Sequence, residues 1–122
     1  MIDSRAGGRW RAHLELVRPP ALFTAGADSL TGWGWALGVM SMKSDEHLSL
    51  IGLCLLSLVF IMISGSIYAA GMCTNDIFDA EEDQRDRPFR PIPSGRVSLK
   101  MAWRLALSLQ ALAIGLALLI SV

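Results

Sequence analysis

From Leu48 to Asn75 the chain carries no charged side chain, and no other stretch restricts its fold as tightly. The hydrocarbon core of a bilayer is ~30 Å thick and takes about 20 apolar residues per helical crossing. A soluble domain of this size rarely carries long apolar runs that lack amphipathic periodicity. Two further runs repeat the pattern: Leu99 to Val122 holds only Lys100 and Arg104 as charges, and Ala21 to Met40 only Asp28. Overall composition conceals this segregation, because 11 basic and 11 acidic side chains cancel. The expectation is an all-α transmembrane helical bundle with spans over about residues 21–40, 48–74 and 99–122 and an acidic loop over 75–98.

Residues 1–20 read as a basic, partly amphipathic leader with Arg5, Arg9, Arg11 and Arg18. They lack the short apolar region of a signal peptide. Trp10 and His13 suit a headgroup region, and Pro19-Pro20 suits the opening of a helix. Gly26, Gly32, Gly34 and Gly38 would let helices approach the first span closely, as would the stripe Gly65, Ala69 and Cys73 on the second. Cys54 and Cys73 lie too far apart along one helix to bridge. Asp28 inside a span suggests a residue facing a cavity, with structural hydrogen bonding as the alternative. Tyr68, seven residues before Asn75, shares its helix face and either lines a cavity or packs. The loop is rich in Arg while the connection Ser41–His47 has only Lys43, so the positive-inside rule places the leader and the acidic loop in the cytoplasm. An integral protein of the plasma (inner) membrane is expected, with lipid around it and no nucleic-acid partner.

Chemistry concentrates where the second apolar run ends. Asp76, Asp79, Glu81, Glu82, Asp83 and Asp86 are followed closely by Arg87, Arg90 and Arg96. At about 100° per residue, Asn75, Asp79 and Asp83 advance only about 40° per step, with Asp76 on the flank of that arc. A wall of oxygens on one helix face is repulsive by itself. A dication reverses that: Mg²⁺ takes hard oxygen ligands and completes its shell with water and phosphate oxygens. Arg87 and Arg90 can pair with phosphate. A solvated acidic helix end is the plain alternative; an EF-hand is excluded by the absence of its mid-loop glycine. Pro88, Pro91 and Pro93 with Ser94-Gly95 end the helix and force a loop, and Ser98 is positioned to cap the next helix.

The pattern Asn-Asp-x-x-Asp-x-x-x-Asp at Asn75 to Asp83, with Arg87-Pro88-x-Arg90-Pro91-Ile92-Pro93-Ser94-Gly95 after it, resembles the first aspartate-rich motif of UbiA-type membrane-embedded prenyltransferases. Arg18-Pro19 resembles that family's start. The resemblance implies a helical bundle around a cavity open to lipid, and transfer of a polyprenyl group from its diphosphate to an acceptor. That acceptor is an aromatic ring or another lipophilic quinone or pigment precursor, or in some members a glycerol-type molecule. It assigns Mg²⁺ to Asn75, Asp79 and Asp83, catalytic roles to Asp76, Asp79 and Asp83, and diphosphate contacts to Asn75, Arg87 and Arg90. Asp28 and Tyr68 become candidates for the cavity lining. Diphosphate departure would leave an allylic cation for the acceptor to attack.

Members of that family typically have nine helices and a second aspartate-rich motif. No Asp or Glu follows Asp86 here, and three spans are expected in all. The resemblance therefore implies the N-terminal part of such an enzyme, a fragment whose remaining helices would come from the same protein. A non-catalytic three-helix unit that binds metal, diphosphate or a partner is the alternative. A membrane alcohol phosphotransferase is disfavoured, because its Asp-Gly, Ala-Arg and Gly-x-x-x-Asp elements are missing around Asp76 to Asp86.

Overall fold

In the computed structural model, residues 4–41 and 49–121 are described, and they form five helices. These are α1 (Ser4–Val17), α2 (Pro19–Ser41), α3 (Leu50–Phe78), α4 (Ala80–Asp86) and α5 (Leu99–Ser121). No strand occurs among the described residues, so the all-α class holds. The polar connection around Lys43 lies outside them, apart from Ser41. The basic leader folds into α1, a helix in its own right before the apolar runs begin.

α3 is the central element, with α1, α2 and α5 all packed against it. Its start is capped by Ser49, whose Oγ accepts from the Gly52 amide at 3.1 Å, satisfying one donor that a helix start leaves orphaned. α2 runs antiparallel to α3 and is tied to it by polar contacts. Ser64 Oγ donates to the Ala25 carbonyl at 2.9 Å, Ser29 Oγ to the Phe60 carbonyl at 3.2 Å, and Trp33 Nε1 to Ser57 Oγ at 3.1 Å. Trp33 also rests against Phe60, ring centres 4.9 Å apart. Such bonds hold helices together where the hydrophobic effect gives little drive.

The α3–α5 seam is lined by small buried residues, among them Ala69 and Cys73 on α3 and Ala102, Ala106 and Ala113 on α5. Alanine allows the close approach expected of glycine. Gly26 does face a neighbour, since a Cβ there would meet Ile61 at 3.6 Å, but one at Gly32, Gly34, Gly38 or Gly65 would meet nothing within 4 Å. The close-packing role read from the glycines thus applies to Gly26 among these five, and the seam itself is built from alanine and cysteine.

The buried core collects at one end of the molecule. Ala12 and Leu16 of α1, Cys73 and Ile77 of α3, Val97 of the loop, and Ala102 and Ala106 of α5 form one cluster. The acidic motif sits at this end. Away from it, Leu50, Ile51, Leu55, Leu58 and Met62 of α3 and Leu112, Ile114, Leu118 and Leu119 of α5 are exposed. α3 and α5 are long and apolar enough to cross a membrane, and little of either apolar window is buried, unlike a core helix of a soluble protein. α2, with Asp28 and its Gly, Ser and Thr content, is a helix over the expected first span but falls short of the span-length hydropathy that α3 and α5 reach.

Candidate functional site

α3 ends at Phe78, and Asp79 caps both it and the start of α4. The hydrogen-bond ladder nevertheless continues across the junction, from the Asp79 amide to the Asn75 carbonyl at 2.9 Å and from the Asp83 amide to the Asp79 carbonyl at 2.8 Å. Helical phase is therefore carried through the motif. Pro88 then prevents further helix, and α4 closes at Arg87, whose amide bonds to the Asp83 carbonyl at 2.8 Å.

The loop that follows is a set of short turns. The Ser94 amide bonds to the Arg90 carbonyl at 3.0 Å and the Val97 amide to the Pro91 carbonyl at 2.9 Å. Gly95 has φ of 73°, the left-handed region that glycine enters without steric cost. Ser98 Oγ accepts from the Met101 amide at 3.3 Å and caps α5. Arg96 fastens the loop to α1 with both terminal nitrogens on Glu15, at 3.0 and 2.7 Å, and also donates to the Phe89 carbonyl at 2.7 Å. The Arg96–Glu15 hydrogen bond is the main reason the Glu15 carboxyl lies below its ordinary range.

The single wall of oxygens expected from the motif is divided in two. Asp76 and Asp83 point inward, with side chains only 7% and 6% exposed. Arg90 lies between them, Nη1 at 3.4 Å from Asp76 Oδ1 and 2.5 Å from Asp83 Oδ2. Arg87 approaches Asp83 at 3.9 Å from the solvent side. Asn75 is exposed on the other half, where its Nδ2 donates to Asp79 Oδ2 at 2.9 Å. The division follows from phase. Asp76 and Asp83, seven residues apart, differ by about 20° in azimuth, while Asn75 and Asp79 fall on the other half of the arc.

The motif by itself does not reveal one further member of the cluster. Arg18, between α1 and α2, places Nη2 at 3.2 Å from Asp76 Oδ1. The available signal was the Arg18-Pro19 pair, which marks a break in the helix but not the partner across the fold. Of the remaining candidates, Tyr68 is half-buried on α3 and Asp28 is exposed on α2; neither joins the ion cluster. Glu81, Glu82 and Asp86 are exposed.

No three His, Cys, Asp or Glu side chains converge as a metal cage among the described residues. The Asn75–Asp79 pair, Asn75 exposed and Asp79 half-buried, is a different kind of donor set. It offers a carboxamide oxygen and a carboxylate one turn apart. Mg²⁺ is commonly held by one or two carboxylates while water and substrate phosphates fill the remaining positions, so this pair fits that ion.

The profile of the UbiA prenyltransferase family matches residues 30–122. Digeranylgeranylglyceryl phosphate synthase of Saccharolobus solfataricus is 31% identical over 112 residues, covering 92% of this chain and 36% of that protein. The proteins of the same name from Ignicoccus hospitalis and Methanopyrus kandleri are 39% and 37% identical, covering 88% and 91% of this chain and 31% and 36% of their own lengths. The chain thus spans about a third of the length of these curated relatives. No solved structure matches it significantly.

Proposed function

The chain belongs to the UbiA prenyltransferase family, and from that premise we propose that it forms the N-terminal part of a Mg²⁺-dependent membrane enzyme. The enzyme transfers a polyprenyl group from a polyprenyl diphosphate to a lipophilic acceptor. The observation that carries this reading is the hydrogen-bonded Asn75–Asp79 pair at the end of an apolar helix, backed by an arginine cluster.

In this reading Asn75 and Asp79 hold the metal, while Asp83, turned inward, holds Arg90 beside them. Bound Mg²⁺ supplies neutralisation of the charge that develops on the leaving diphosphate. Arg87, largely exposed, offers forked donors to that diphosphate, and Arg90 joins it while remaining anchored on Asp76 and Asp83. The prenyl chain lies along apolar surface of α3, with Tyr68 and Asp28 lining the cavity that receives it. Further helices of the same enzyme cover the exposed faces of α3 and α5. The relatives' shared name describes two geranylgeranyl groups on glyceryl phosphate, which favours a glyceryl phosphate-type acceptor over an aromatic one. The acidic loop and the N-terminus lie on the cytoplasmic side of the plasma (inner) membrane, following the distribution of Lys and Arg.

In the full-length protein, Asp79→Ala should lower Mg²⁺-dependent transfer of a labelled prenyl group by about a hundredfold or more. Undiminished transfer would refute the assignment. Mg²⁺-dependent diphosphate binding with no turnover in the unaltered protein would favour a non-catalytic binding unit.

A further inference from the structure

Between α1 and α2 the chain turns on one residue, Arg18, the non-glycine residue with positive φ among those described, at 48°. Side chains are disfavoured there because Cβ crowds the following carbonyl, and Pro19 restricts the same residue again. The turn is held at both ends, with the Arg18 amide on the Leu14 carbonyl at 3.1 Å and the Ala21 amide on the Arg18 carbonyl at 2.9 Å. Strain of this kind persists where the surroundings over-determine it. Here the elbow delivers a guanidinium to Asp76, 58 residues further along the chain.

Asp76 is nearly buried and shares one oxygen, Oδ1, between Arg18 at 3.2 Å and Arg90 at 3.4 Å. The same Nη1 of Arg90 also reaches Asp83. Two carboxylates withdrawn from water thus rely on arginines from two distant parts of the chain. The loop in turn depends on Arg90, whose carbonyl accepts from both the amide and the hydroxyl of Ser94.

We propose that Arg18 is a positioning residue for the acidic motif: by holding Asp76 it fixes Arg90, and through Arg90 it fixes Asp83 and the covering loop. The N-terminal elbow then sets the geometry of the diphosphate site. This rests on the reading of that site given above and adds to it a residue outside the motif. Without Arg18, Asp76 depends on Arg90 alone, which is drawn toward it at the expense of Asp83.

The first test uses the full-length protein in lipid nanodiscs, without Mg²⁺ or substrate, and reads hydrogen exchange across residues 90–97. Arg18→Ala and Arg18→Gly should both speed exchange there about tenfold, with Arg18→Lys intermediate. Glycine suits the turn but lacks the guanidinium, so slow exchange in Arg18→Gly would mean that only the backbone matters and would overturn the proposal. The effects of Arg18→Ala and Asp76→Asn should be non-additive, because they remove two ends of one contact; additive effects would also overturn it. In transfer assays the loss in Arg18→Gly should fall on KM for the polyprenyl diphosphate, about tenfold, more than on kcat. An unchanged KM would count against the positioning role. Failure of the functional reading is seen separately, because Asp79→Ala tests transfer while the exchange experiment needs neither metal nor turnover.

Discussion

Arg90 carries the largest energetic consequence of any single side chain in the site, because two nearly buried carboxylates share it. Removing one partner from a buried ion pair leaves an uncompensated charge and costs about 3–5 kcal/mol. Arg90→Ala should therefore lower the thermal midpoint of the protein in nanodiscs sharply. Adding Asp76→Asn and Asp83→Asn should recover much of that loss, since the charges that needed Arg90 are then gone. Gly95 presents a backbone counterpart. With φ of 73° it sits where a Cβ is disfavoured, although a Cβ would meet no neighbour, so Gly95→Ala should cost about 1–2 kcal/mol through strain alone. The same denaturation measurement checks it.

Among the elements, α3 and α5 meet through small side chains, and that seam tolerates little added volume. Ala102 is 0% exposed and Ala106 2%, so a leucine at either must displace a packed neighbour. Overpacking of this kind typically costs about 1–3 kcal/mol, and thermal unfolding of Ala106→Leu should show it. Gly34→Ala is the control: a Cβ there meets nothing within 4 Å, and alanine is the better helix former, so stability should hold or rise slightly. α1 belongs to the site end of the bundle through two unlike attachments. Ala12 and Leu16 enter the core, and Glu15 pairs with Arg96 of the loop.

For the molecule as a whole, the Glu15–Arg96 pair makes the docking of α1 depend on pH. Glu15 has its pKa lowered from 4.5 in the folded chain, so the unfolded or undocked state takes up a proton first as pH falls. The contribution is complete above the ordinary carboxylate range and is lost as pH drops through the lower folded value. Spin-label distances between α1 and the 89–95 loop should hold at neutral pH and broaden below about pH 4, the region of an ordinary carboxylate. Glu15→Gln should weaken docking already at neutral pH and flatten this response. Topology is tested at the same scale. Lysine-directed labelling of intact cells should modify Lys43 and spare Lys100, and the reverse pattern would invert the orientation.

Apolar run length and helical phase are local properties, and the sequence alone was enough to read them. The charge-free stretch before Asn75 fixed a long apolar α3, the Pro-rich segment after Arg87 fixed a loop, and Ser98 fixed the start of α5. The motif's spacing also fixed the azimuth of every carboxylate. It did not fix what each azimuth would face, because periodicity along one helix holds no information about neighbouring elements. Tertiary packing turned Asp76 and Asp83 toward Arg90 and left Asn75 exposed and Asp79 half-buried. It also brought in Arg18, whose reach depends on a left-handed elbow and on α1 being anchored beneath the motif. A contact between residues 18 and 76 exists only once α1, α2 and α3 are packed, which is why the acidic motif could be read from the chain while the arginine that positions it could not.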